Sequence, residues 1–316
     1  MKRLLAAYLC LTFWCLGTAH AQQDPQFSHY MFNQLYYNPA TAGLDSRFIE
    51  TKVLYRSQWA GYEPTVDGGG APTTQLFSVS MPLTQLKGGL GLHVINDELG
   101  PETRREVQLS FSYHIPVNKG SLSFGVRGGV FNFGLDNSLR YVNPNDPTKP
   151  TGSVNEFTPD FGAGLYFDHP NYFVGVSANH LQQSDFDTEV AGFYSLATHF
   201  TTLVGMNLDM SSKITLQPSV ILKSDFKAYS IEASALAIYD DKAYIGLSAR
   251  ELEAAILMAG AYLTRDKRLT LGYAFDYTLE QKDAKSATSH EIMLSYKFMA
   301  PGKAEPSILR TPRFRF

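Results

Sequence analysis

The chain has 316 residues, of which 44% are hydrophobic, 18% charged and 13% aromatic. This length is enough for one large domain, and a single β-barrel can reach it without a second core. The formal net charge is −3, and the sequence shows no clustered basic face, so nucleic acid is not expected as a partner.

The first residues have the three regions of a secretory signal peptide. Lys2 and Arg3 are basic, residues 4–16 are apolar, and Ala19-His20-Ala21 is a small-x-small cleavage site. We therefore expect residues 1–21 to be removed near Ala21/Gln22, which takes two positive charges from the net charge of −3 and leaves −5. The two cysteines, Cys10 and Cys15, lie in this peptide, so the mature chain is expected to have no disulfide and no thiolate metal site.

The rest of the chain has the alternation of a transmembrane β-barrel. No stretch of 18 apolar residues follows the signal peptide, so no transmembrane helix is expected. From residue 48 onward, segments of about ten residues alternate between apolar and polar side chains. In residues 107–115, for example, Val, Leu, Phe, Tyr and Ile alternate with Gln, Ser, Ser and His. A soluble β-sandwich also alternates, so single strands do not separate the two folds.

Strand number and loop length favour the barrel. Fourteen strands are predicted, over residues 48–57, 73–82, 87–96, 105–115, 120–133, 158–167, 171–180, 195–207, 213–222, 227–239, 242–250, 254–264, 268–278 and 288–298. The connections after even-numbered strands are all short, and the long ones all follow odd-numbered strands. Short periplasmic turns and longer outer loops are typical of bacterial outer-membrane barrels. The sequence therefore predicts an all-β, antiparallel outer-membrane β-barrel over residues 48–298.

The two faces of these strands carry different expectations. Aromatic residues near strand ends are expected at the membrane boundary: Tyr55, Tyr113, Phe131, Phe133, Phe167, Tyr239 and Tyr277. The inward face is small or polar, with charges at Glu50, Lys52, Arg56, Arg127, Glu232 and Arg250. Such side chains cannot fill a fourteen-stranded lumen, so water, a ligand or the chain itself must occupy it.

An aromatic segment precedes the barrel, at residues 22–47. Phe27, Tyr30, Met31, Gln34 and Leu35 lie at helical spacing, which predicts a short amphipathic helix that ends by Pro39 and Gly43. So much apolar surface would not remain in water. The segment is therefore interpreted as a plug in the barrel or as a helix that docks on a partner.

This segment carries a specific resemblance. Residues 24–43 read DPQFSHYMFNQLYYNPATAG, which resembles the opening signature of the PorP/SprF family of type IX secretion membrane proteins at every defined position. Arg56-Ser57-Gln58-Trp59, after the first strand, and Arg310-Thr311-Pro312-Arg313-Phe314, near the end, also resemble motifs of that family.

The resemblance implies an accessory of type IX protein secretion, in some members also of gliding motility, located at the bacterial outer membrane among its lipids. It implies partners of two kinds, periplasmic ring lipoproteins or a secreted surface protein that is retained through its C-terminal sorting domain. A second interpretation stays open, because Asn38-Pro39-Ala40 also resembles fatty-acid transporter-type barrels, which take up small apolar molecules.

Partner binding is predicted for aromatic, proline and arginine residues near the two ends of the chain. They would act as hydrophobic anchors, with arginine adding directional hydrogen bonds. The predicted residues are Phe27, Tyr30, Met31, Phe32, Tyr36, Tyr37, Asn38, Pro39, Trp59, Arg310, Pro312, Arg313 and Phe314. Residues 299–316, a basic and proline-broken tail, are either a periplasmic docking peptide or a disordered end.

No catalytic residue, metal site or cofactor is predicted. His180, Ser184 and Asp185 could suggest a hydrolase triad, but triads are defined by geometry rather than spacing. Three histidines on different strands, His114, His199 and His290, could converge on a metal, although lone strand histidines are usually not ligands. A calcium site was also considered, at Asp136, Asp146 and Asp160, but their spacing matches no ligand loop.

Overall fold

A computed structural model describes residues 24–62, 70–136, 153–184, 186, 195–240, 242–251, 253–279 and 286–301. The proposed signal peptide and its cleavage site, Asp146, Asp185, and the tail residues Arg310, Pro312, Arg313 and Phe314 lie outside these ranges.

The described residues form fifteen β-strands. They are β1 (Phe48–Ser57), β2 (Thr73–Leu83), β3 (Gly88–Leu99), β4 (Glu102–Val117), β5 (Gly120–Leu135), β6 (Val154–His169), β7 (Tyr172–Asn179), β8 (His199–Met206), β9 (Leu208–Ser211), β10 (Ile214–Ser224), β11 (Tyr229–Tyr239), β12 (Ala243–Arg250), β13 (Ala254–Tyr262), β14 (Leu269–Thr278) and β15 (Thr288–Met299).

These strands close into an antiparallel barrel with fourteen strand positions. Each strand pairs with its neighbours along the chain, and β1 pairs with both β2 and β15, which closes the ring. The short β9 and the preceding β8 both pair with β10, at its two ends. Together they therefore occupy a single strand position in the barrel. The predicted number of fourteen strands is therefore confirmed, although residues 208–211 form the short strand β9 and not only a turn.

The barrel is apolar outside and polar inside, the reverse of a soluble protein. Large aliphatic side chains remain exposed on the outer face, for example Leu109 at 57%, Val126 at 59% and Leu247 at 66%. Charged side chains are buried on the inner face, among them Arg56, Glu232 and Arg250. Only lipid makes such an exposed aliphatic band favourable, which is the arrangement of a membrane-spanning barrel. Among the described residues, no helix is long and apolar enough to cross a membrane.

The two ends of the barrel differ, as the loop lengths predict. One end, here the short-turn end, carries tight connections such as residues 84–87, 118–119 and 170–171. The other end, here the long-loop end, carries the connections over residues 58–72, 136–153, 180–198 and 279–287.

Residues 24–44 of the N-terminal segment lie inside the lumen. The predicted helix from Phe27 is not confirmed, because the only α-helix in the described chain, α1, is four residues long, Gln34–Tyr37, and a 3-10 turn follows at Pro39–Thr41. Phe27, Tyr30, Tyr36 and Tyr37 form a buried apolar cluster with inward side chains of the barrel wall. The chain itself therefore occupies the lumen.

One group of aromatic residues differs from expectation. Tyr55, Tyr113, Tyr239 and Tyr277 are exposed on the outer face, but Phe131 and Phe133 are buried, at 2% and 3% exposure. They pack with Phe186 and Leu196. Both share the strand parity of Arg127, so the alternation of β5 already directs them inward.

Candidate functional site in the barrel lumen

A buried polar network joins the N-terminal segment to the strands that close the barrel. Arg56 of β1 and Glu291 of β15 are direct cross-strand partners, and the guanidinium lies 3.5 Å from the Glu291 carboxylate. Arg56 also donates to Asp276 Oδ2 at 2.7 Å and to Ser28 Oγ at 2.8 Å. The backbone N–H groups of Ser28 and His29 both donate to Glu291 at 2.8 Å. The segment thus completes the hydrogen bonding of these buried charges.

A second ion pair lies beside this network. Arg250 of β12 and Glu232 of β11 are cross-strand partners, with both Nε and Nη2 2.8 Å from Glu232 Oε2. Ser248 donates to the other oxygen of that carboxylate at 2.7 Å. The Arg250 and Glu232 side chains are at most 2% exposed, and a buried charge of this kind persists only when it is paired.

The helix and the turn of the segment are held from the opposite wall. Arg127 of β5 donates to the carbonyl oxygens of Tyr36 at 2.8 Å and Leu35 at 2.6 Å. The Asn38 amide donates to the carbonyls of Leu165 at 2.9 Å and Val176 at 3.2 Å, a register pair of β6 and β7. Asn38 Oδ1 accepts from the Ala40 N–H at 2.9 Å and starts the 3-10 turn.

Two glycines allow this turn to touch the wall. Gly125 of β5 and Gly164 of β6 are register partners. A Cβ atom on Gly125 would lie 2.1 Å from the Ala40 nitrogen, and one on Gly164 would lie 2.1 Å from Asn38 Oδ1. Because no side chain fits in those spaces, the residue pair Asn38-Pro39 rests directly on strand backbone.

A third cluster lies near the long-loop end. Asp24, the first described residue, is 3.2 Å from His180 Nε2 and 3.6 Å from His199 Nδ1. His180 Nδ1 is 2.9 Å from Asp160 Oδ2. Burial favours the neutral forms, but the His199 and His180 imidazoles hold the pKa of Asp24 well below its usual range. Conversely, the Asp24 and Asp160 carboxylates hold the pKa of His180 well above its usual range, despite its burial.

The predicted partner-binding residues do not form one surface. Seven of those in the N-terminal segment are buried in the lumen, namely Phe27, Tyr30, Met31, Tyr36, Tyr37, Asn38 and Pro39. The eighth, Phe32, is partly buried and packs on Tyr244 with ring centroids 4.9 Å apart. Trp59 lies at the long-loop end, where its backbone N–H donates to Ser289 Oγ at 3.0 Å. In this structure, therefore, most of the predicted anchors face the barrel wall.

Among the described residues, the members of the catalytic and histidine sets considered from sequence contact different groups. Ser184 lies 2.6 Å from the Thr158 hydroxyl, whereas His180 pairs with Asp24 and Asp160. His114 contacts the Ala42 carbonyl and Ser123, and His290 contacts Tyr273. Only His199 of that histidine set joins a cluster of potential ligands.

Several residues of the site were not predicted as site residues from sequence, namely Asp24, Ser28, His29, Asp276 and Glu291, and His180 was considered only for a hydrolase triad. The strand pattern in the sequence could have identified two of them. Glu291 and Asp276 stand at inward positions of their strands, and charged residues there need a partner in the lumen.

A closed barrel with an aliphatic outer band and a filled, charged lumen defines an integral outer-membrane β-barrel protein. The model of the family described as type IX secretion system membrane protein PorP/SprF matches residues 19–296. The chain therefore belongs to the PorP/SprF family, and the resemblance seen at residues 24–43 is confirmed. A comparison with curated proteins finds no significant match.

Solved structures share the barrel architecture. The Pseudomonas putida toluene transporter TodX is similar over 89% of this chain and 95% of its own, at 11% identity and a TM-score of 0.51. The Ralstonia pickettii toluene transporter TbuX is similar over 84% of this chain and 93% of its own, at 10% identity and a TM-score of 0.51. At such identities the likeness concerns the fold alone.

Proposed function

We propose that this protein is a non-catalytic outer-membrane accessory of type IX protein secretion, which works by binding partner proteins at the ends of a closed barrel. The observation that carries this proposal is the seating of the N-terminal segment in the lumen. Family membership supports the secretion role, and the filled lumen favours a scaffold over a conducting channel.

The segment contributes to the closed state through charges that would otherwise be unpaired. If residues 28–29 left the lumen, Glu291 would lose two backbone donors and Arg56 would lose an acceptor. A buried charge that loses its partner typically costs about 3–5 kcal/mol. The predicted anchors in the segment therefore act within the barrel, and partner contact falls to the two ends.

The two ends suit the two kinds of expected partner. At the short-turn end, we propose that the tail with Arg310, Pro312, Arg313 and Phe314 docks on a periplasmic ring lipoprotein. At the long-loop end, we propose that the loops around Trp59 retain a secreted surface protein through its C-terminal sorting domain. Extended basic peptides can add to a partner's surface, and tryptophan is a frequent anchor residue at interfaces.

Affinity purification from the native outer membrane tests this proposal. A tag inserted near Lys149 leaves both ends of the chain free, and partners are identified by mass spectrometry. We expect recovery of secretion lipoproteins or of a large surface protein. Deletion of residues 303–316 should remove the periplasmic partner only, and Trp59→Ala should weaken the surface partner only. Recovery of the barrel without protein partners would contradict the proposal.

A second candidate function is the passage of small apolar molecules through the wall. It is favoured by an apolar groove of about 650 Å3 on the outer face, lined by Phe111, Leu165, Phe200 and neighbouring side chains. Gly125 and Gly164 form part of this groove, and Pro39 and Ala40 cover them from inside. The two toluene transporters share the fold.

Toluene uptake by cells that make the protein separates the two functions. A transporter predicts uptake above that of cells without the protein, with a change in Gly125→Ala, whose methyl group would displace the turn at Ala40 that covers the groove from inside. The accessory role predicts uptake equal to that of cells without the protein, for both the wild type and the variant.

A further inference from the structure

Asp24, His180 and His199 bring a carboxylate and two imidazoles together at the long-loop end of the lumen. One potential ligand atom from each residue lies within 4.8 Å of the other two. The Asp24 oxygens are 3.2 Å from His180 Nε2 and 3.6 Å from His199 Nδ1. Tetrahedral zinc, with bonds of about 2.0–2.1 Å, places neighbouring ligand atoms about 3.3 Å apart. Small side-chain adjustments would therefore let all three bind one ion.

The surroundings of His180 are those of a metal-ligating histidine. Its Nδ1 lies 2.9 Å from Asp160 Oδ2, while Nε2 faces Asp24. Asp160 in turn accepts from the Gln108 amide at 2.6 Å. A carboxylate on the far nitrogen of a ligating imidazole orients the ring and raises its basicity.

His199 adds an independent observation. Its residue exposure is 8%, and its Nδ1 is buried without a hydrogen-bond partner in the described part of the chain. A buried ring nitrogen aimed at a carboxylate 3.6 Å away leaves its bonding capacity unused. An ion between the two groups would use it. Next to His199 and Asp24 lies a cavity of about 20 Å3, which has room for one water as a fourth ligand.

We propose that Asp24, His180 and His199 bind a divalent transition-metal ion, zinc first among them, in the lumen. Two imidazoles and one carboxylate are a donor set that zinc commonly takes, with water completing four-coordination. The ion would take the place of the direct His180–Asp24 contact, whose atoms are 3.2 Å apart. This proposal is independent of the secretion role, because it concerns only the seating of the segment.

The ion would fasten the start of the N-terminal segment to the wall. His180 directly follows β7 and His199 begins β8, so the site joins both strands to residue 24. The Arg56 network holds residues 28 and 29, and Asn38 holds the turn. The metal would thus be a third attachment, at the end of the segment farthest from β1.

Lys223 gives the proposal a sharper test. Its side chain lines the same cavity and its charge interacts with Asp24. A neighbouring ammonium disfavours a bound cation, so Lys223→Met is expected to tighten metal binding. His169 is the last residue of β6, at the other end of the barrel, and His169→Ala is the matched control.

The full-length protein, purified in detergent with a tag free of histidine, is stripped with chelator and equilibrated with zinc alone. We expect one zinc per chain by mass spectrometry of the metal. Cobalt in its place should give the intense visible absorption of a tetrahedral site. Asp24→Asn and His199→Ala should each weaken binding by at least about tenfold, while His169→Ala binds as the wild type does.

Two results would overturn the site. One is wild-type protein that binds neither zinc nor cobalt, a result that does not depend on how any variant folds. The other is zinc bound equally by the wild type, Asp24→Asn and His199→Ala, which would mean adventitious binding elsewhere. Heat-dependent migration in gels checks that each variant retains a folded barrel.

Discussion

Arg56 shows how a single residue connects the lumen to its contents. Its guanidinium donates to Ser28 and Asp276 and faces Glu291, so it joins β1, β14, β15 and the N-terminal segment. Arginine suits this position because its planar fork presents several donors in fixed directions. The alternation of β1 directs residue 56 inward, which is why its position, though not its partners, was predictable.

Replacing Arg56 with leucine should destabilise the barrel by about 3–5 kcal/mol, because Asp276 and Glu291 would keep buried charges without their partner. Arg56→Lys should recover part of that loss, since an ammonium restores charge but not the fork. Arg47→Leu is the matched control. Its ion pair with Asp45 is 65% exposed on the arginine side, so the change should be at most about 1 kcal/mol. Urea unfolding in detergent measures all three, and equal losses for Arg56→Leu and Arg47→Leu would contradict the argument.

Gly164→Ala tests the close approach of Asn38 to the wall. The new methyl group would meet Asn38 Oδ1, so the turn must shift and the amide must leave the carbonyls of Leu165 and Val176. We expect a loss of about 1–3 kcal/mol in the free energy of unfolding. Gly128→Ala is the control, because its nearest neighbour would be Phe161 at an ordinary 3.5 Å. A Gly164→Ala protein as stable as Gly128→Ala would refute this reading of the contact.

At the scale of elements, strands and segment differ in how far sequence predicts them. The strands are predictable from the alternation of apolar and polar residues and from loop length. Lipid outside and a polar lumen inside impose the same two-residue period on every strand. The segment has helical spacing from Phe27, yet the N–H groups of Ser28 and His29 donate to Glu291. Glu291 belongs to β15, and no local sequence pattern shows such a tertiary partner.

The meeting of Asp24, His180 and His199 has the same origin. The three residues are far apart in the sequence, and only the barrel register brings β7 and β8 beside the start of the segment. By contrast, Arg56 with Glu291 and Arg250 with Glu232 are register pairs on the inner face. Their charges and their inward positions on the strands together made a buried network in the lumen predictable, although the geometry of that network was not.

The seating of the segment can be measured by labelling a cysteine at Met31, whose side chain is 7% exposed and apolar. We expect a water-soluble maleimide to modify Met31→Cys slowly, and Lys227→Cys, in the exposed turn between β10 and β11, rapidly. Combining Met31→Cys with Glu291→Gln should speed the reaction, because the segment loses charge-assisted hydrogen bonds. Equal rates at positions 31 and 227 in the otherwise unchanged protein would show that the segment does not stay in the lumen.

At the scale of the whole molecule, the barrel wall and the N-terminal segment inside it have different expected roles. A fourteen-stranded wall encloses more space than its small inward side chains fill, and residues 24–43 occupy the difference. The wall spans the membrane, and we expect the segment to determine whether ions can cross it.

Deleting residues 24–43 should therefore create a conducting channel. In planar bilayers we expect negligible conductance for the wild type and stepwise ion conductance for the deletion variant. Deletion of residues 303–316 serves as the control and should leave the wild-type value unchanged. Stable conductance by the wild type at the level of the deletion variant would show that the segment does not close the lumen.

The position of the Arg56 network also bears on how the barrel is made. β1 and β15 are the first and last strands of the barrel, and their pairing closes the ring. Ser28 and His29 bind at this seam, on Arg56 and Glu291. Closing the ring and seating the segment therefore use the same buried charges, so each arrangement should stabilise the other.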